Sequence, residues 1–138
     1  MTEKADLAYE KAARYFNSGF NCAQAVIKAV YEAGDEDAPA GLLNAAAGMS
    51  GGIGFSGCVC GALNGGVMLL GYRLGGDKKS AAKARGLSSK LARWFNKRFG
   101  TTCCILIRDK RPFADKEAKR RCTEATAETA REIVKMLG

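Results

Sequence analysis

Histidine is absent from this sequence, and proline occurs only twice. Without an imidazole there is no Cys–His or Ser–His nucleophile pair, no mixed Cys/His zinc site and no His-ligated haem. Scarce proline, in segments rich in Ala, Leu, Lys and Arg, points to helix. The most apolar stretch, residues 59–72, is too short and too glycine-rich to cross a bilayer. The opening residues, MTEKADLAYEKAARYF, lack the apolar segment and cleavage site of a signal peptide. A cytoplasmic protein with no membrane insertion is therefore expected. No C-x-x-C pair occurs either, which ranks an all-cysteine zinc site behind other uses of the thiols.

What is present fits one domain, 1–138, with a single core: 138 residues, 47% apolar and 26% charged. The chemistry falls to six cysteines: Cys22, Cys58, Cys60, Cys103, Cys104 and Cys122. In a reducing cytoplasm such a set reads as redox-active or metal-binding rather than as structural disulfides.

Apolar residues at three- and four-residue spacing predict a helix over 3–17 (Ala5, Ala8, Ala12, Phe16), ended by Gly19. Asn21 and Gln24 form a capping-box pattern for a second helix, with Cys22 in its first turn and Gly34 as its stop. A short helix follows from Pro39 to about Ala47. The stretch 51–71, GGIGFSGCVCGALNGGVMLLG, is read as a glycine loop leading into a core helix from about Cys58 to Leu74. Asp77 caps a helix over 78–99, stopped by Gly100; Thr102 caps a short turn through 103–107, and a last helix spans 114–137. The expected fold is all-α, a compact bundle of five or six helices without a sheet.

Within 51–71, Gly61 and Gly65 stand four apart, flattening one helix face so that another cysteine-bearing backbone can pack against it. Cys60, at the helix start, faces unpaired N–H groups that favour a thiolate, with Gly57 and Gly61 leaving its sulfur open. Cys122 falls mid-helix on the inward face with Ala118, Ala125, Thr129 and Ile133. The loop also contains G-x-G-x-x-G (Gly52, Gly54, Gly57), with Asp77 twenty residues on. A dinucleotide fingerprint needs a strand before that loop, and LLNAAAG is helical, so this reading is rejected.

Residues 77–121 carry fifteen Lys/Arg against four acids, +11, while the remainder sums to −3, giving the net +8. Lys79, Lys83, Lys90, Arg93 and Lys97 share one helix face, opposite the buried side that takes Trp94 and Phe95. A solvated face is the first reading, an acidic protein partner the second. Nucleic acid comes last, since stacking on bases needs exposed aromatics.

Taken together, NCAQAV around Cys22, CGALNG from Cys60 to Gly65, then Cys104 and Cys122 resemble the C_GCAxxG_C_C family of redox-active proteins. The resemblance covers nearly the whole chain, and Cys58 and Cys103 are extra to the family's four cysteines. It implies a small all-helical redox protein whose molecular activity the family name leaves open.

Two chemistries fit four converging thiols. In the first, Cys22, Cys60, Cys104 and Cys122 are the reacting set and cycle between dithiol and disulfide, with no cofactor. In the second, the same four ligate a [2Fe–2S] cluster, with the backbone at Gly57, Gly61 and Gly65 beside it. A non-catalytic interaction or metal-binding module is the third reading. Of the vicinal pair, only one member is expected to face inward.

Overall fold

The computed structural model describes residues 2–138. Seven α-helices follow in order: α1 (Thr2–Asn17), α2 (Cys22–Ala33), α3 (Ala40–Ala45), α4 (Gly61–Leu74), α5 (Lys78–Phe99), α6 (Cys104–Ile107) and α7 (Lys116–Leu137). A 3₁₀ turn, Ala47–Met49, follows α3. The fold is all-α, as the sequence predicts. The count rises to seven because the turn expected at 103–107 closes as a one-turn helix.

The helix ends form where their side chains satisfy free backbone N–H groups. The Asn21 side chain accepts from Gln24 N at 2.8 Å, and Gln24 Oε1 accepts from Asn21 N at 3.3 Å, completing the capping box. Such a cap contributes about 1 kcal/mol. Here it also ties two segments together: Asn21 Nδ2 donates to Ala46 O and Ala47 O, and Gln24 Nε2 donates to Leu43 O. Asp77 caps α5 through Ser80 N, Asp115 caps α7 through Ala118 N, and Gly100 ends α5 at φ 77°.

Helix α2 packs against α1, α4 and α7, so the bundle closes around it. The α1 stripe Ala5, Ala8 and Ala12 is buried, and α1 lies along α7, whose inward face is also built largely from alanine (Ala118, Ala125, Ala130). Small side chains on both faces let the two helices approach closely. The bulk of the core comes from Val26, Ile27, Leu69, Leu70, Leu91, Phe95 and Ile133. Helix α5 rests mainly on α4 and leaves Lys79, Lys83, Lys90, Arg93 and Lys97 in solvent, as its amphipathic pattern predicts.

Two local expectations are corrected. Helix α4 begins at Gly61, so Cys60 is its N-cap and Cys58–Val59 lie outside the helix. The reason is a pairing invisible to helical periodicity. Val59 bridges antiparallel to Cys103, with Cys60 N donating to Thr102 O at 2.7 Å and Cys104 N donating to Cys58 O at 2.5 Å. The cap expected from Thr102 is also absent: Cys103 precedes α6, and its N–H is taken by Thr101 Oγ1. Among the described residues no strand precedes the G-x-G-x-x-G loop, so it is no dinucleotide fingerprint.

Helices α4 and α2 approach closely at Gly65. A Cβ built on Gly65 would stand 2.6 Å from both Cα and O of Ala23, whereas one on Gly71 would meet nothing within 4 Å. Gly65→Ala should therefore cost about 1–3 kcal/mol by overpacking. Gly71→Ala on the same helix should gain about 0.5–1 kcal/mol by removing backbone freedom from the unfolded chain. Denaturant unfolding of the two variants checks this; equal midpoints would refute the tight α2–α4 seam.

Candidate functional site

Four elements each deliver one thiol to a single cleft. Cys22 comes from the first turn of α2, Cys60 from the N-cap of α4, Cys104 from the start of α6 and Cys122 from the second turn of α7. All four line a cavity of about 320 Å³, and all are free thiols. They stand near enough to influence one another's ionisation. Cys22 feels Cys60 and Cys104, Cys60 feels Cys122 and Cys104, and Cys122 feels Cys22 and Cys104, which together make every pair of the four.

The backbone explains how each thiol gets there. The Asn21–Gln24 box holds the start of α2 against the end of α3, fixing Cys22. Gly61 brings α4 onto the same spot, since its missing Cβ would lie 3.2 Å from Cys22 Cβ. The Val59–Cys103 bridge holds the two cysteine-bearing segments side by side, with Cys60 N donating to Thr102 O and Cys104 N to Cys58 O. Cys60 and Cys104 fall on the inward face, 4% and 6% exposed, while Val59 and Cys103 face solvent. The vicinal pair is thus resolved by the bridge: Cys104 is in and Cys103 is out. Gly52, at φ 71°, lets the loop turn beneath this pair; a Cβ there would meet Cys104 Cβ at 2.6 Å.

Gly57, Gly61 and Gly65 have distinct places. Gly61 lines the cleft; Gly57 packs on Ile105 with its carbonyl accepting Ile105 N–H; Gly65 is occupied by Ala23 and lies off the lining. Cys58 is exposed and outside the cleft.

The electrostatics overturn the expectation of an activated Cys60. The N–H groups of Ala62 and Leu63 do reach its sulfur and pull its pKa down, as a helix start should. Burial outweighs them, and the thiol is pushed up to about 12, with Cys122 and Cys104 adding to the rise. Cys22 is pushed to about 12 by burial and by Cys60, with the neighbouring Thr126 side chain opposing. Cys122 likewise rises to about 12, through burial and the neighbouring Cys22 and Cys104, with Arg108 opposing. Nor is the sulfur of Cys60 left open by the flanking glycines.

Two participants escaped the sequence reading. Arg108, which ends α6, is 6% exposed; it lies against the Phe113 ring at 3.7 Å and donates to Arg111 O, while its Nε has no partner. Thr126, fully buried, stands beside Cys22 with its hydroxyl donating to Cys122 O at 2.7 Å. Nothing in a run such as RDKRPF marks its first arginine for burial; that depends on where Phe113 folds back.

A family model described as "Putative redox-active protein (C_GCAxxG_C_C)" matches residues 20–136, a span that contains all four cleft thiols. No curated protein and no solved structure matches the chain. No described helix is long and apolar enough to cross a membrane.

The raised thiol pKa values carry a stability consequence. A thiol that ionises near 9.0 when exposed but near 12 in the fold keeps its proton longer in the native state. Its stabilising contribution is complete below the lower value and is lost as pH climbs toward the upper one, because the unfolded state has then shed the proton. Unfolding free energy should therefore fall more steeply above pH 9.0 in the native sequence than in a Cys22→Ser, Cys60→Ser, Cys122→Ser triple variant. Parallel slopes in denaturant titrations would show that the cleft does not penalise thiolates.

Proposed function

The chain belongs to the C_GCAxxG_C_C family of redox-active proteins, and from that premise we propose that its cleft thiols cycle between dithiol and disulfide. The observation that carries this reading is the convergence of Cys22, Cys60, Cys104 and Cys122 from four separate elements on one cavity. Buried cysteines that serve only packing have no reason to gather at a solvent-reachable hole. On oxidation two thiols lose two protons and two electrons, and an S–S bond forms between them; the electrons and protons pass to an acceptor in the cleft. Reduction reverses each of these transfers.

Because Cys22, Cys60 and Cys122 are held protonated, an attacking thiolate must form transiently. The Ala62 and Leu63 N–H groups favour it at Cys60 and the Arg108 charge favours it near Cys122. The same four thiols equal in number the ligands of a [2Fe–2S] cluster. Among the described residues, however, no three Cys, Asp or Glu side chains are grouped to hold a metal ion. We therefore prefer the dithiol reading and keep the cluster as the second. A basic outer face on α5 is compatible with an acidic redox partner.

Oxidation of the reduced protein with diamide, followed by peptide mapping, tests the reading. A disulfide should join two of Cys22, Cys60, Cys104 and Cys122 within one chain. Cys104→Ser should weaken or redirect it, while Cys103→Ser and Cys58→Ser leave it intact. A bridge found only at the exposed Cys58 and Cys103 would overturn the proposal.

A further inference from the structure

The cleft is unusual in what lines it. No charged side chain is among the residues around it, although 26% of the chain is charged and the net charge is +8. Arg108 is outside the lining, stacked on the Phe113 ring. The two amides of the lining do not offer themselves to a ligand either. Asn21 commits its carbonyl to Gln24 N and its amide to Ala46 O and Ala47 O; Gln24 commits its own to Asn21 N and Leu43 O. Beyond the thiols and these amides the walls carry the apolar Phe16, Phe55, Ile107 and Phe113, with Ser50 supplying a hydroxyl. At the solvent edge Phe55 and Phe113 are 66% and 41% exposed and meet edge to face at 5.3 Å. Two exposed rings beside a thiol-lined hole present aromatic surface to whatever enters. A carboxylate or ammonium brought into this lining would lose its water and find no side chain of opposite charge to pair with, a heavy cost.

We propose that the molecule exchanging electrons with the cleft thiols is an uncharged, largely apolar two-electron acceptor built on an aromatic or quinonoid ring. This rests on the dithiol reading and adds its substrate class. The shared chemistry has two sources, an aryl disulfide and a quinone, and both balance without leaving a charge in the cleft. With an aryl disulfide, one protein sulfur displaces an aryl thiol to give a mixed disulfide. A second protein sulfur displaces the other aryl thiol, and the two protein protons end on the two aryl thiols. With a quinone, the protein S–S bond forms as two electrons and two protons pass to the two carbonyl oxygens, giving the hydroquinone. Neutral reactants and products suit a site whose burial already holds the thiols protonated.

The test uses the full chain with the exposed thiols removed (Cys58→Ser, Cys103→Ser), reduced, and mixed with reagents of matched shape. One is dipyridyl disulfide, which is neutral; another is dithiobis(nitrobenzoate), which is dianionic; the third is a short-chain benzoquinone. Each rate is divided by that of the same reagent with the urea-unfolded chain, which cancels intrinsic reactivity. The neutral disulfide should exceed the dianion by at least about tenfold on this scale, although the protein's positive charge would by itself steer the opposite way. Ser50→Lys, which puts a cation in the lining, should close the gap, and Ser50→Gln should not. Hydroquinone produced together with a protein disulfide assigns the quinone source; a neutral-disulfide preference with an inert quinone assigns the aryl disulfide. If a cleft disulfide forms but the dianion reacts as fast as the neutral reagent, the substrate class is wrong and the dithiol reading stands. If no reagent yields a disulfide among the four thiols, the dithiol reading fails and takes the substrate class with it.

Discussion

The close approach of α4 to α2 is the constraint on which the rest depends. At Gly65 the two backbones leave no room for a Cβ beside Ala23, and at Gly61 a Cβ would press on Cys22. One helix face without side chains therefore sets both the packing of the bundle and the position of the first cysteine relative to the second. Helix α7 then closes on α1, α2 and α4 and brings Cys122 to the same place. A larger residue at either glycine would separate the helices and with them the thiols. Fold and site share one contact.

The second organising element is the small antiparallel bridge between Val59 and Cys103. It is the one β-bridge among the described residues, and it joins the two segments that carry adjacent or nearly adjacent cysteines. Beside it Cys60 and Cys104 are buried while Cys58 and Cys103 are left outside. It also shortens α4 at its start. Cys60 consequently caps the helix instead of sitting within it, and its sulfur collects N–H groups from Ala62 and Leu63.

Desolvation and the helix dipole act on Cys60 in opposite directions, and their balance decides the character of the site. A dipole at a partly exposed helix start lowers a thiol pKa, but its effect is spread over the first turn and is modest. Removal from water costs the charged form more, and Cys22, Cys60 and Cys122 are each further penalised by neighbouring thiols of the four. The outcome is a neutral, apolar cleft inside a strongly basic protein. The cations of α5 remain in solvent and none lines the cavity.

The helices were legible in the sequence because their signals are local. The Asn21–Gln24 box, the Asp77 and Gly100 ends of α5 and the alanine stripe of α1 each act within one or two turns, and each element forms as those residues predict. The spacing of Gly61 and Gly65 likewise announced a flat face, and the four cysteines now sharing one cleft could be named from their faces and their resemblance. Tertiary structure decided what depends on distant segments meeting. The start of α4 depended on a partner segment more than forty residues away. The choice between Cys103 and Cys104 followed from the same bridge. Burial of Arg108 needed Phe113 to fold back over it, and the pKa of Cys60 depended on how completely water is excluded by four converging elements. Burial is a property of the assembled bundle, so the residues could be read from the chain but their protonation could not.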